Sequence, residues 1–270
     1  MSTNFQSSPV IRPWILSEIN YGFVKDCQYD VAVLPTGATE PHNLHLPYGT
    51  DTFQADAIAS RACEAAWERG ARVIMLPPIP YGTETNQAEF PLSMNLNPST
   101  LGIIIRDLTQ SLTNSGINKL LILNSHGGNE FKPLLREMLN ETSCRMFLCD
   151  WFRGLSADVQ HEIFDEPGDH AGEMETSLGL AFFSQFVDTT EDGTITGDDG
   201  AVNPTRFEAV NNGWVSITRP WHLLTTQTGS GNPHPATAEK GKRLMDILVH
   251  RISNFLVELA GSEIDPRFPF

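Results

Sequence analysis

The chain has 270 residues, and its 40% hydrophobic and 19% charged residues supply a sizeable core and exclude a disordered chain. Its 33 acidic and 18 basic residues give a net charge of −15, which argues against nucleic acid or an anionic membrane as a partner. None of the four cysteines forms a CxxC pair and the first residues carry no signal-peptide pattern, so we expect a cytoplasmic protein with free thiols. Because no apolar run approaches the roughly 20 residues needed to span a bilayer, we expect no membrane-spanning segment.

Short apolar runs alternate with amphipathic stretches along the chain. The runs predict a buried strand at residues 31–35 and further strands at 73–76, 120–123 and 145–149. The amphipathic stretches predict helices at residues 50–70, 98–114, 130–140, 173–183 and 236–259. This alternation predicts an α/β fold with a mostly parallel central sheet that helices cover on both faces. We expect one domain over residues 1–270, with a loop-rich excursion at 188–220 that is too short to be a second domain.

Carboxylate and imidazole side chains collect where the predicted strands end. Glu40, His42 and Asp51 follow the first strand, and His126 follows the third. His170 precedes the helix at 173–183, and Glu173 and Glu175 lie at its start. In an open parallel sheet, ligands bind outside the carboxyl ends of the strands. We therefore expect these side chains to meet at one edge of the sheet.

This set of oxygen and nitrogen ligands suits zinc, manganese or iron(II), and a carboxylate such as Asp51 can bridge two ions. Taken singly, each residue has a simpler explanation: Asp51 at a helix start, the segment 124–129 as a polar turn, His45 in the core. The arrival of three separate stretches at one edge favours a metal centre. The sequence contains no GxSxG elbow, P-loop or GxGxxG motif that would indicate another chemistry.

Three motifs carry a resemblance to a known family. They are residues 40–51 (EPHNLHLPYGTD), 124–129 (NSHGGN) and 170–177 (HAGEMETS), with weaker similarity at YGTE from Tyr81 and at GNPHPATAEKG near the C-terminus. In this order and spacing the chain resembles the creatininase family of metal-dependent amidohydrolases over about residues 30–245. The resemblance implies a three-layer α/β/α sandwich, commonly assembled as a homohexamer, with two divalent metal ions (Zn, Mn or Fe).

The resemblance also implies a ligand set. Glu40 and His126 bind one ion, His42 binds the other, and Asp51 bridges the two. Creatininase proper has a glutamate two residues after its metal histidine, where this chain has Gly128. The remaining ligand is therefore assigned to Glu175, with Glu173 as the alternative.

Further roles follow from the same resemblance. His170 matches the imidazole that handles the proton, and Glu175 is counted with it as catalytic. Substrate contacts are expected from His45, Tyr81, Thr83, Gly127 and Trp151. The chain departs from the family where EQHGPH is usual, and it lacks the tryptophan that precedes the third-motif histidine in creatininase proper. Creatinine itself is therefore not the expected substrate.

The leading hypothesis is a hydrolase that cleaves a carbon–nitrogen bond in a cyclic or small linear amide, through attack of a metal-bridging hydroxide on the carbonyl. A carbohydrate-derived lactone or inosose-type ring is an alternative substrate. A non-catalytic family member that binds a small molecule is the alternative from a different class of protein.

Overall fold

Four parallel strands form the central sheet of the protein, whose computed structural model describes residues 11–270. The strands are β1 (Val31–Thr36), β2 (Val73–Met75), β3 (Lys119–Asn124) and β4 (Arg145–Asp150), in the order β2-β1-β3-β4. Each lies within one residue of its predicted bounds. The prediction that the first residues form no signal peptide concerns the start of the chain, and residues 1–10 lie outside the described residues.

Helices of very different lengths connect and flank the strands. They are α1 (Tyr21–Val24), α2 (Thr50–Glu68), α3 (Pro98–Asn114), α4 (Lys132–Met138), α5 (Gln160–Ile163), α6 (Glu173–Phe182), α7 (Glu208–Asn211), α8 (Trp221–Leu224) and α9 (Ala238–Gly261). The five predicted helices correspond to α2, α3, α4, α6 and α9. Within residues 11–270, no helix is both long and apolar enough to cross a membrane.

Strands β1, β2 and β3 are buried on both faces and the edge strand β4 is partly buried, which confirms the predicted α/β/α layering. Val31 and Val33 of β1 pack in the core that α2, α6 and α9 cover. Ala32 and Leu34 of the same strand point the other way, into the core under α3 and α4. Successive side chains of a strand alternate between faces, so one continuous apolar run supplies both cores.

The excursion at 188–220 consists of loops, the short helix α7 and isolated bridges such as that between Thr189 and Ile195. Asn43 ties this segment to the loop after β1, because its side-chain amide donates to the backbone oxygen of Asp198 and its side-chain oxygen accepts from the Asp198 N–H. Asn43 has a positive φ of 55°, a conformation that asparagine tolerates better than most residues. One domain for the whole chain stays a prediction.

The packing of α6 against α9 gives a testable prediction. A Cβ atom at Gly241 of α9 would lie 2.1 Å from the backbone oxygen of Ser177 in α6, so Gly241→Ala forces the helices apart. We expect it to lower the free energy of unfolding by about 1–3 kcal/mol in urea titrations. Gly261→Ala, at the open end of the same helix, is the control and should change it by less than about 1 kcal/mol. Equal effects of the two substitutions would contradict this account of the packing.

Candidate metal centre

Six ionisable side chains meet at the carboxyl edge of the sheet. They come from the loop after β1, the first turn of α2, the turn after β3 and the start of α6, and they are Glu40, His42, Asp51, His126, His170 and Glu175. Glu175 is partly buried and the other five are buried. Parallel strands end together at one edge, so residues distant in sequence reach the same place.

Two groups of three potential ligands share one carboxylate. In the first, His126 Nδ1 lies 2.8 Å from Glu40 Oε1 and 3.1 Å from Asp51 Oδ2. In the second, His42 Nε2 lies 3.0 Å from Asp51 Oδ1 and 4.0 Å from Glu175 Oε1. Within each group the ligand atoms lie within 4.8 Å of one another. Asp51 therefore directs one oxygen to each group.

Both imidazoles are oriented by acceptors on their outer sides. His42 Nδ1 lies 3.0 Å from the backbone oxygen of Glu40 and can donate to it, which leaves Nε2 for the cluster. His126 Nε2 lies 3.1 Å from the backbone oxygen of Thr83 and 2.8 Å from Glu84 Oε1, which leaves Nδ1 for the cluster. A carboxylate or carbonyl behind an imidazole is the usual arrangement that fixes the tautomer of a metal-binding histidine.

Glu84 is a site residue that the sequence reasoning missed. It is fully buried, and neither of its carboxylate oxygens has a hydrogen-bond partner of good geometry among the described residues. Its nearest charged neighbour is the His126 ring. Although YGTE stood out in the sequence, Glu84 lies in a loop, where no periodic pattern indicates that a side chain points inward.

The buried charges shift one another's pKa values. Burial raises the pKa of Glu40 well above its usual range, and it raises the pKa of Glu175 to about 7 although His42 opposes the shift. For His42, burial lowers the pKa, but the carboxylates of Asp51 and its neighbours outweigh it and raise the pKa to about 10. The carboxylates likewise outweigh burial and raise the pKa of His126. The cluster therefore favours positive charge among its carboxylates.

Gly128 occupies the position, two residues after His126, at which the family resemblance puts a glutamate in creatininase proper. A Cβ atom there would lie 2.3 Å from His126 Nε2 and 2.3 Å from the backbone oxygen of Thr83, so no side chain fits. Glu175 instead stands beside His42 and Asp51. Its other oxygen accepts from the Ala171 N–H at 2.6 Å, which anchors the carboxylate at the start of α6.

The alternative ligand Glu173 points away from the cluster. Its carboxylate is paired with Lys240 of α9 and accepts from the Glu166 N–H at 2.7 Å. On a helix, residues two apart lie about 200° apart, so Glu173 and Glu175 face opposite directions. The structure thus brings Glu175, and not Glu173, to His42.

His170 lies beside the cluster, and one of its ring nitrogens is already hydrogen-bonded to the backbone. Its backbone forms an antiparallel bridge with Ser230, and its Nε2 donates to the backbone oxygen of Pro41 at 2.9 Å. The ring packs 4.1 Å from the His42 ring and 5.5 Å from the Trp221 ring, centroid to centroid. Burial, and then the charge of His42, lower the pKa of His170 to about 3, so Nδ1 is an unprotonated acceptor that faces the cluster.

A cavity of about 300 Å³ opens over this cluster, a size typical of small-molecule sites. Of the predicted residues, its wall includes Glu40, Asp51, His126, Gly127, His170 and Glu175. It also includes residues that the sequence analysis did not identify, namely Phe152, Arg153, Arg219 and Trp221. Arg219 and Trp221 come from the end of the excursion and from α8, where no motif or periodicity marked them.

Four residues predicted to contact substrate do not line this cavity. His45 Nε2 bonds to Thr176 Oγ1 at 2.8 Å, and its ring packs against Gly197. Trp151 is fully buried, and its indole N–H donates to Ser125 Oγ at 2.7 Å, so it supports the wall from behind. Tyr81 is exposed outside the cavity, and Thr83 lies behind His126.

The asparagines of NSHGGN hold the strand ends together. Asn124 Nδ2 donates to Asp150 Oδ1 of β4 and to the backbone oxygen of His126, both at 2.8 Å. Asn129 Nδ2 donates to the backbone oxygen of Gly37 at 3.2 Å, and Asn129 Oδ1 accepts from the Thr83 N–H at 3.1 Å. This polar turn therefore joins the segments that carry Glu40, Glu84 and His126.

The fold and the site define a three-layer α/β protein with a buried histidine and carboxylate cluster at the carboxyl edge of its sheet. The chain belongs to the creatininase family, whose sequence model, described as creatinine amidohydrolase, matches residues 17–256. It is a hydrolase of this metal-dependent family, as the motifs predicted.

Three relatives illustrate the range within the family. The structure of a candidate creatinine amidohydrolase from Bacteroides fragilis NCTC 9343 is 36% identical, covers 94% of this chain and 98% of its own, and superposes with a TM-score of 0.86. A creatinine amidohydrolase from Pseudomonas putida is 28% identical over 86% of this chain and 90% of its own. A mycofactocin precursor peptide peptidase from Mycobacterium ulcerans (strain Agy99) is 26% identical over 83% of this chain and 84% of its own.

The opposite orientations of the two α6 glutamates give the second prediction. Glu175→Gln should weaken the binding of one of two divalent ions, because a neutral amide is a poorer ligand than a carboxylate. Glu173→Gln should leave both affinities unchanged but lower thermal stability, because it leaves Lys240 without its buried partner. Calorimetric titration of metal-free protein with Zn²⁺ or Mn²⁺ measures both affinities. The reverse order of effects would assign the ligand to Glu173.

Proposed function

We propose that the protein uses two divalent ions, zinc, manganese or iron, to hydrolyse a carbon–nitrogen bond in a cyclic or small linear amide. The observation that supports this most directly is the position of Asp51, whose two oxygens face two separate groups of ligands. One group would hold an ion through Glu40, Asp51 and His126, and the other through His42, Asp51 and Glu175.

The chemistry of the ligand set fits two such ions. Carboxylate oxygens and imidazole nitrogens suit borderline divalent metals, and cations would offset the repulsion among the buried carboxylates. Asp51 Oδ2 is buried without a hydrogen-bond partner of good geometry among the described residues, as expected for a ligand atom. When bound, two ions polarise a carbonyl and lower the pKa of water between them.

His170 is the residue that moves the proton in this proposal. Because Nε2–H is donated to Pro41, Nδ1 is the only ring nitrogen free to accept a proton from the attacking water. Because burial and the charge of His42 lower the pKa of His170, the resulting imidazolium holds this proton only transiently and gives it readily to the leaving nitrogen. The backbone bridge to Ser230 and the Trp221 ring hold the imidazole in place during both transfers.

The relatives and the cavity both bear on the class of substrate. The relatives include enzymes named for creatinine and for a precursor peptide, at similar levels of identity. A cavity of about 300 Å³ favours a small molecule over a folded protein. A sugar-derived lactone or inosose-type ring is the alternative substrate. We also propose that the protein assembles as a homohexamer and lies in the cytoplasm.

The third prediction tests the function itself. Metal-free protein reconstituted with Zn²⁺, Mn²⁺ or Fe²⁺ should bind about two ions per chain by elemental analysis. It should then hydrolyse at least one compound in a panel of cyclic amides, formamides and sugar lactones. Asp51→Asn should keep the fold but lose at least one ion and most of the activity, because an amide bridges poorly. Two bound ions and near-normal turnover in Asp51→Asn would refute the bridging role.

The fourth prediction separates proton transfer from metal binding. His170→Ala should keep both ions and lower kcat by roughly 10²–10⁴-fold on an unactivated amide. The loss should shrink for an ester or activated anilide, whose leaving group needs no proton. His161→Ala, which removes an exposed histidine of α5, is the control and should change nothing. Loss of metal from His170→Ala would instead make His170 a ligand, as its proximity to Glu40 and His42 also permits.

A further inference from the structure

Two arginines line the cavity, from different parts of the chain. Arg153 lies in the turn of π-helix at Trp151–Leu155 that follows β4, and Arg219 lies at the end of the excursion. Together they are the only lysine or arginine side chains in the cavity wall formed by the described residues. In a chain with a net charge of −15, the presence of two guanidiniums in the wall of one small cavity points to an anionic ligand.

Each guanidinium is held from one side while most of its donors stay free. Arg153 Nη2 donates to the backbone oxygen of Gly127 at 3.1 Å, and its guanidinium carbon lies 5.4 Å from the centre of the Phe152 ring. The guanidinium of Arg219 lies 5.5 Å from the centre of the Trp221 ring. Packing of this kind orients a guanidinium without using its hydrogen-bond donors.

Among the described residues, Arg153 has no carboxylate partner, and the one ion pair of Arg219 is long and exposed. Arg153 forms no ion pair with any of the described residues, and Arg219 has only Asp169, with a 3.6 Å separation between Nη2 and Oδ2 on the exposed rim. Other arginines of the protein are paired closely, such as Arg251 with Asp158 at 2.6 Å. The donors of Arg153 and Arg219 are therefore available to a ligand.

The contacts of these arginines place them near the reacting groups. Gly127, which accepts from Arg153, follows His126 directly, and Trp221, which packs against Arg219, also contacts the His170 ring. The cluster and both guanidiniums therefore line the same small cavity, so a molecule bound there would lie beside both. Two divalent ions would offset carboxylates of the cluster, and the two guanidiniums add positive charge to the same wall, which Asp169 opposes in part.

We propose that the substrate carries a carboxylate distant from the bond that is cleaved, and that Arg153 and Arg219 bind this carboxylate at the wall of the cavity. The inference rests on the proposed function, because it assumes that the cavity over the cluster is where the amide binds. A planar guanidinium matches a carboxylate with two parallel hydrogen bonds, so the arginines would select this group over a neutral one of equal size. The substrate class is thus a small amide acid.

The experiment uses calorimetry to compare the binding of two matched pairs of probes to metal-loaded protein. Glutaramate and succinamate each carry an amide and a distal carboxylate, and glutaramide and succinamide carry the same amide without the charge. We expect at least one acid to bind about 10-fold or more tightly than its neutral partner. Arg153→Gln and Arg219→Gln should each remove most of this preference without changing the metal content.

The control variant is Arg243→Gln. Arg243 lies outside the cavity and faces Glu162, so this variant should keep the full preference for the acids. No preference for either acid in the wild-type protein, or a preference that survives in the Arg153→Gln/Arg219→Gln double variant, would overturn the proposal. Hydrolysis is followed in parallel on the same four probes and on the wider panel. An arginine-dependent preference without hydrolysis of any compound would support the carboxylate site and count against the amidohydrolase function, so the two failures are distinguishable.

Discussion

The burial of three carboxylates within a few ångströms of one another is the constraint on which this site depends. Glu40, Asp51 and Glu175 repel one another away from water, and burial raises the pKa of Glu40 and of Glu175. Such a cluster persists only if protons or positive charges offset its negative charge. His42 and His126 supply part of it, and the shared position of Asp51 indicates where cations would supply the rest.

Hydrogen bonds to uncharged backbone and side-chain groups hold the histidines of the site in place on the sides that face away from the cluster. Backbone oxygens of Glu40 and Thr83 accept from the two cluster imidazoles, and the backbone oxygen of Pro41 accepts from His170. Asn124 and Asn129 cross-link the strand ends that carry these groups. Glu84 is the exception, because it adds a fourth buried carboxylate behind His126 and so makes that ring a stronger donor of electron density to whatever binds at Nδ1.

The end of the excursion and α8, which follows it, complete the wall of the cavity. Asn43, in a left-handed conformation, binds Asp198 of the excursion through its side chain and Thr228 through its backbone N–H. The same region delivers Trp221 to His170 and Arg219 to the cavity wall. The family motifs thus assemble the reactive cluster, while a segment outside them forms the wall against which a substrate would lie. In the proposed function, substrate selection and chemistry would therefore be carried by different parts of the chain.

The sequence by itself determined the layered fold and most of the cluster. Apolar runs and helical periodicity located all four strands within one residue, and three motifs at strand ends specified Glu40, His42, Asp51, His126 and His170. Tertiary structure alone decided that Glu175 rather than Glu173 stands beside His42, because the choice depends on how α6 is rotated against Lys240 of α9. It alone turned His45 and Trp151 away from the cavity and brought in Glu84, Arg153, Arg219 and Trp221. Local patterns encode periodicity and burial, but the path of a loop follows from long-range contacts that no short segment of sequence contains.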